Sequence, residues 1–150
     1  MEIKVLQEKD IDDIKNVIED DNMIFDKQNI KNFINSPNTY AFIAKNDEQV
    51  IGFAYGHGLA RPDAKVMFYL HDIGILEAYQ NKGTGTKFIQ FIIDFAIQKC
   101  FTEVFLITDR NNPKACRVFE KCGMENDIPD EVCYVKEFWW NKIKNLTEFC

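Results

Sequence analysis

A carboxylate set among apolar residues, with a glycine turn a few positions later, is the part of this sequence most able to do chemistry. The carboxylate is Asp72 in Tyr69-Leu70-His71-Asp72-Ile73-Gly74-Ile75. Left unpaired inside a strand of that character it would be costly, so a partner or a function must explain it. The turn is Gln80-Asn81-Lys82-Gly83-Thr84-Gly85-Thr86, which opens a long apolar segment. A helix starting there would present unpaired N–H groups and partial positive charge, which bind phosphates. Its glycines would let the backbone come close to an anion. Two standard phosphate loops are excluded by position. A P-loop needs Gly where Gln80 stands and an uninterrupted Gly-Lys-Ser/Thr ending, whereas Thr86 separates Gly85 from Lys87. The dinucleotide fingerprint needs Gly or Ala where Phe88 stands. Taken alone, the Gly-x-Gly pattern fits a tight turn as well as a ligand site.

His57, between Gly56 and Gly58, and His71, beside Asp72, are the other ionisable candidates. Strict alternation puts His71 and Asp72 on opposite sheet faces, so only a bulge would bring both into one site. The glycines around His57 admit a close ligand and equally suit a bent strand end.

These groups need elements to hold them. Residues 2–6 alternate and read as a strand. Asp10 reads as the N-cap of a helix carrying Ile11, Ile14, Val17 and Ile18, with Asp12 and Asp13 in its first turn. A second short helix over Lys27–Asn35 buries Ile30, Phe33 and Ile34 and stops at Ser36-Pro37. Glu19, Asp20, Asp21 and Asp26 on this pair read as a solvated acidic face or as the wall of a site for a cation. Thr39–Lys45 and Gln49–Leu59 form a hairpin, and Lys65–Ile75 is the next strand. The period then changes. Gly83–Cys100 predicts a long helix, Glu103–Thr108 a buried strand, and Pro113–Lys121 a helix with Gly123 just past its end. Glu131–Phe138 supplies a last, aromatic strand. The order is that of an α/β domain with a mixed sheet, and residues 1–150, without repeat or linker, read as one domain.

In this context the run from Tyr69 to Tyr79 into Gln80–Thr86 resembles the central motif of the GNAT family, the Gcn5-related N-acetyltransferases. That motif is a strand, a short bend, then Gln/Arg-x-x-Gly-x-Gly/Ala opening a helix. Asn112-Pro113-Lys114-Ala115-Cys116-Arg117-Val118-Phe119-Glu120-Lys121-Cys122-Gly123-Met124 is similar to the family's Asn-x-x-Ala-x-x-Leu-Tyr-x-x-x-Gly-Phe block. The likeness implies the GNAT (acyl-CoA N-acyltransferase) fold, a mixed, mostly antiparallel sheet splayed at its centre and flanked by about four helices. It also implies acetyl-CoA as co-substrate and no metal. The splay would part the strands around Asp72–Ile75 and Glu103–Thr108, through a bulge near Ile75–Glu77. Backbone of Ile73, Gly74 and Ile75 would then pair with the pantetheine arm like an added strand, and polarise the thioester carbonyl. Gln80, Asn81, Lys82, Gly83, Thr84, Gly85 and Thr86 would surround the pyrophosphate, with Lys87 nearby. Asn112 would bond the pantetheine, and Ala115 would leave room for it. Without the likeness, Lys82 and Lys87 read as solvated side chains and Asn112 as a helix N-cap.

The stretch around Asp72 is most similar to the type I aminoglycoside 3-N-acetyltransferases. Their corresponding aspartate is implied to orient and deprotonate the target amine, and Asp72 matches it. A structural hydrogen bond is the other reading of Asp72. Glu77, at the bend, is the second candidate base. The chain departs from the family at Phe119, where many members place a Tyr that protonates the leaving thiolate. Phe has no proton to give, so water, Tyr79, Cys116 or direct release must serve. The implied reaction is acetyl transfer to a primary amine, such as an aminoglycoside or other polyamine. A protein N-terminus or lysine is the second acceptor class, and a CoA-binding regulator without turnover is the reading Phe119 motivates.

Composition limits the rest. Of 150 residues, 46% are hydrophobic and thirteen are Phe, ample for one core. The N-terminus lacks the layout of a signal peptide and no long apolar run is present, so the expected compartment is the cytoplasm, away from membranes. The odd count of five Cys, without a Cys-x-x-Cys pair, argues against a disulfide framework or a structural zinc site. A net charge of −6 disfavours nucleic acid and suits a cationic substrate. Phe138-Trp139-Trp140 reads as a homodimer interface or as a cap on the core.

Overall fold

The computed structural model describes residues 1–21, 23–126, 130 and 132–136. Five strands, β1 (Glu2–Val5), β2 (Thr39–Asn46), β3 (Gln49–Ala60), β4 (Val66–Ile75) and β5 (Val104–Phe105), form one sheet in chain order. The first four run antiparallel, and β5 joins β4 in parallel. The helices are α1 (Lys15–Asp20), α2 (Lys27–Ile34), α3 (Thr84–Gln98) and α4 (Pro113–Lys121). A mixed, mostly antiparallel sheet with four described helices is the architecture that the sequence motifs implied. None of the described helices is long and apolar enough to cross a membrane.

Alternation along β2 explains the layering. Ala41 and Ile43 point to one face and Phe42 and Ala44 to the other, and all four are buried. On one face Phe42, Ala44, Phe68 and Leu70 pack against Phe88, Ile89, Ile92 and Ala96 of α3. On the other, Ala41, Ile43 and Phe53 pack against Leu6, Ile14, Val17 and Ile18. Below, these are the α3 face and the α1 face.

Helix ends follow local chemistry. The Asp26 carboxylate accepts the Asn29 N–H at 2.8 Å and starts α2. Gly123, at φ 79°, closes α4 with the N–H of Gly123 on the Glu120 carbonyl and that of Met124 on Phe119, a Schellman motif. Three expectations are corrected. Asp10 is not an N-cap: Gln7 precedes a 3-10 helix over Glu8–Ile14, and Asp10 lies buried within it. Its carboxylate accepts from Lys4 Nζ at 2.8 Å and from the Gln7 N–H at 3.2 Å, which satisfies the buried charge. The expected buried strand Glu103–Thr108 shrinks to the half-buried pair Val104–Phe105, because β4 turns away beyond it. Of the expected strand Glu131–Phe138, residues 132–136 are not in a strand and the ends lie outside the described residues, as do Phe138-Trp139-Trp140 and Cys150.

Candidate active site

Strand β4 is where the candidate groups meet, and a bulge decides how. Tyr55 of β3 pairs with Asp72, but the next residue, Gly56, pairs with Leu70. His71 is therefore the extra residue. A bulge re-aims side chains and strengthens local twist. Leu70 lies in the α3-face core, so His71 points to the α1 face. Past the bulge the alternation restarts, and Asp72 and Gly74 also point to the α1 face while Ile73 and Ile75 join the α3-face core. The structure thus brings His71 and Asp72 to one face, the arrangement plain alternation forbids. The bulge was expected near Ile75–Glu77. It sits instead at His71, and Glu77–Tyr79 form a single 3-10 turn.

The same bulge marks where the sheet parts. β4 and β5 pair only at Phe68↔Val104 and Tyr69↔Phe105. The Leu76 N–H bonds the Ile51 carbonyl at 2.9 Å, which fixes Leu76, Gly74 and Asp72 as the residues whose backbone faces β3. Backbone groups of Ile73 and Ile75 face the other way, toward the opening. A cleft of about 490 Å³ lies there, between Leu70–Ile73 of β4, Leu106–Thr108 beyond β5, and Asn112, Ala115 and Phe119 of α4. Ile107, 63% exposed, shows how far the chain has left the sheet.

Two of the opening's polar groups already have partners. The Ile73 N–H donates to the Asp72 carboxylate at 2.8 Å, and the Gln80 amide donates to the Ile75 carbonyl at 2.8 Å. Gln80 thereby ties the glycine turn to the end of β4. Within the turn Asn81 and Gly83 both have positive φ, 58° and 80°. A Cβ on Gly83 would meet nothing within 4 Å, so the backbone is bare toward solvent at the N-terminus of α3. That exposed row of amides beside an open cleft fits the diphosphate and extended arm of a coenzyme A thioester. Thr84 is buried, and Gly85 stands in ordinary contact with Ile75 and Val118. Lys82 Nζ donates to the Ala78 carbonyl at 2.9 Å and lies 5.7 Å from the centre of the Tyr79 ring. Asn112 caps α4, accepting the Ala115 N–H at 3.2 Å. Tyr79 gives its hydroxyl to Gln49 at 3.1 Å, and Cys116 points its thiol at the Asp109 carbonyl, 3.9 Å away. Glu77 is exposed on its turn.

On the α1 face, beside the cleft that His71 and Asp72 also line, an aromatic row surrounds Asp72. Tyr55 stacks on His71 at 5.1 Å between centroids, Tyr69 stacks on Phe105 at 5.0 Å, and His57 meets Phe33 of α2 edge-on at 5.6 Å. Burial, then His71, holds the His57 imidazole below its ordinary value, so it stays neutral near pH 7. Burial, then Asp72, pushes the Tyr55 phenol up and keeps it protonated. Asp21, just past α1, reaches over Gly74, where any Cβ would collide with its carboxyl. Burial, then Asp72, then Asp20, raises the Asp21 carboxyl above its usual range. Gly74 therefore serves as a seat for Asp21 on the face away from the α3-face core. Sequence reasoning placed Asp21 only in a general acidic wall and missed Tyr55, Tyr69 and Phe105. Nothing local in the sequence marks them, because the strand register brings them together.

Residues 9–124 match the sequence profile described as the Acetyltransferase (GNAT) family. The "Probable N-acetyltransferase camello" of Xenopus laevis is 30% identical over 96 residues, 64% of this chain and 43% of that protein. This chain thus aligns with less than half of that relative's length. An aminoglycoside acetyltransferase from an uncultured soil metagenomic sample, solved with sisomicin, superposes with TM-score 0.73 at 23% identity, covering 90% of this chain and 96% of that one. The ribosomal-protein-alanine N-acetyltransferase of Brucella melitensis biovar Abortus 2308 superposes with TM-score 0.74 at 17% identity, covering 92% and 100%. An aminoglycoside N-acetyltransferase AAC(6')-Iy in complex with CoA gives TM-score 0.75 at 16% identity, covering 91% and 99%. At these identities the structures share the fold.

Proposed function

This chain belongs to the acetyltransferase (GNAT) family, and from that premise we propose that it moves an acetyl group from acetyl-CoA to a primary amine. The observation that carries the reading is the parting of β4 and β5 after Tyr69↔Phe105, beside a bare glycine turn at the start of α3. Bound there, acetyl-CoA supplies an activated thioester. The amides of Asn81–Gly85 would hold its pyrophosphate, with Lys82 and Lys87 as counter-charges and Thr86 one residue further along α3. Asn112, Ala115 and Phe119 would line its arm. Because the Ile73 N–H is engaged by Asp72, the Ile75 N–H, which faces the same way, is the better group to polarise the carbonyl. Asp72 would take the proton of the attacking alkylammonium, and Glu77 would assist only through water. The amine nitrogen then bonds the acetyl carbon as the C–S bond breaks. The nitrogen then releases its second proton, which water relays to the departing thiolate, since Phe119 offers none.

Two acceptor classes draw support from different observations. The likeness around Asp72, the net charge of −6 and the neighbour solved with sisomicin favour an aminoglycoside or other polyamine. The Brucella neighbour favours a protein N-terminus. Calorimetry with CoA, together with thiol release from acetyl-CoA across a panel of amines, tests the proposal. Heat with CoA and release with an amine are expected. Heat without release from any acceptor would make the chain a CoA-binding regulator. No heat at CoA on the order of its millimolar binding limit, about 4 kcal/mol of binding energy, would overturn the reading.

A further inference from the structure

We infer that the acceptor is a monoamine with an apolar body, its ammonium set against Asp21 and Asp72 and its body in the groove between α2 and β3. The inference rests on the acetyl-transfer reading and narrows it. A groove of about 630 Å³ opens on the α1 face, lined by Ile18, Met23, Ile24, Ile30, Phe33 and Phe53, together with Tyr55. Register connects it to the candidate base: Phe53 pairs with Gly74, where the Asp21 carboxyl rests, and Tyr55 pairs with Asp72. Both carboxylates therefore stand beside Phe53 and Tyr55 of the lining. Asp26, the cap of α2, is the carboxylate of the lining itself, and it accepts the Asn29 N–H. Ile24 at the mouth is 85% exposed, a large apolar surface with room for a ligand beside it. One ammonium and an apolar tail complement this pattern.

Thiol release from acetyl-CoA with n-alkylamines from ethylamine to hexylamine, and with spermidine, tests this. The expected kcat/KM rises about fourfold per added methylene until the groove is full, and hexylamine exceeds spermidine. Ile24→Glu should cut the hexylamine-to-ethylamine ratio about tenfold, and its exposed position spares the fold. A flat or falling series, with ethylamine or spermidine still acetylated, would overturn the inference and leave the acetyl-transfer reading standing. A short peptide with an apolar first residue preferred over hexylamine would assign the groove to a polypeptide and overturn the small-amine acceptor. CoA heat without release from any amine would also overturn it, and absence of CoA heat would defeat the underlying reading as well.

Discussion

Strand β4 works through two regions built in different ways. Its outward edge and the turn after it, Ile73 to Thr86, are one continuous stretch that would offer main-chain groups to the proposed coenzyme. The α1 face of the same strand collects side chains from far apart: Asp21 after α1, Phe33 of α2, Phe53, Tyr55 and His57 of β3, and Tyr69, His71 and Asp72 of β4. Main-chain recognition needs only correct backbone geometry, so it constrains a few glycines and leaves most side chains free. Side-chain recognition depends on register, a bulge and helix packing, so on the proposed reading acceptor preference can change while the cleft between β4 and β5 stays the same.

The sharpest way to separate the two regions is Asp72→Asn. The carboxamide oxygen can still accept the Ile73 N–H, so the strand should keep its shape, while the proton acceptor is lost. Acetyl transfer should fall about 10²-fold or more, with CoA affinity unchanged. Steady-state thiol release and calorimetry on one preparation check both halves, and an unchanged rate would remove Asp72 from the chemistry. Gly83→Val attacks the other region. With φ at 80° and open space around it, the added side chain would stand where a diphosphate approaches. CoA should bind about tenfold more weakly or worse, from the αL strain of about 1–2 kcal/mol and the blocked approach, while the KM for the amine holds. Equal losses for both ligands would break the division between the two regions.

The far end of α3 separates strain from blocking. Cys100 occupies the same left-handed region at φ 59°, exposed, with its N–H on Ile97 and the Phe101 N–H on Ala96, each at 3.0 Å. It occupies the position that glycine fills after α4. Cys100→Gly should stabilise the protein by about 0.5–1 kcal/mol, the relief of αL strain less the entropy of a freer unfolded chain. Chemical denaturation measures it, and CoA affinity should not move. A gain there with a large CoA loss at Gly83 assigns that loss to the ligand's approach.

What the sequence revealed follows the same division. Gly83 and the Asn112–Gly123 block were legible because each acts within a few residues: a positive φ, a cap, a Schellman closure. The α3 and α4 boundaries came out nearly where Pro113, Gly123 and the period change put them. His71 was not legible. Alternation is the only rule a single strand offers, and the bulge that breaks it is set by the partner strand's register. Leu106 and Ile107 look like strand residues because they are apolar and β-prone. Their apolar surface lines the cleft instead, since β4 has already turned away. Asp21 against Gly74 spans more than fifty positions, and no local pattern records such a contact.

Asp21 offers the smallest effect and the most specific sign. Its carboxyl is held above the usual carboxylate range, first by burial and then by Asp72 and Asp20. The folded chain therefore holds that proton more tightly than the unfolded chain does. Stability from this group is complete below the unfolded pKa and is lost as pH rises through the folded one, so at neutral pH the ionised Asp21 opposes folding. Asp21→Asn keeps the shape over Gly74 and removes the charge. Its Tm should exceed the parent's by a small margin at pH 7 and approach it at pH 3. A bound ammonium changes the balance, because it gives the two carboxylates a counter-charge that the free protein lacks. Saturating hexylamine should then raise the parent's Tm more than the variant's at pH 7, closing the gap between them. A variant less stable than the parent at pH 7 would mean the ionised Asp21 supports the fold, and would remove it from the proposed acceptor site.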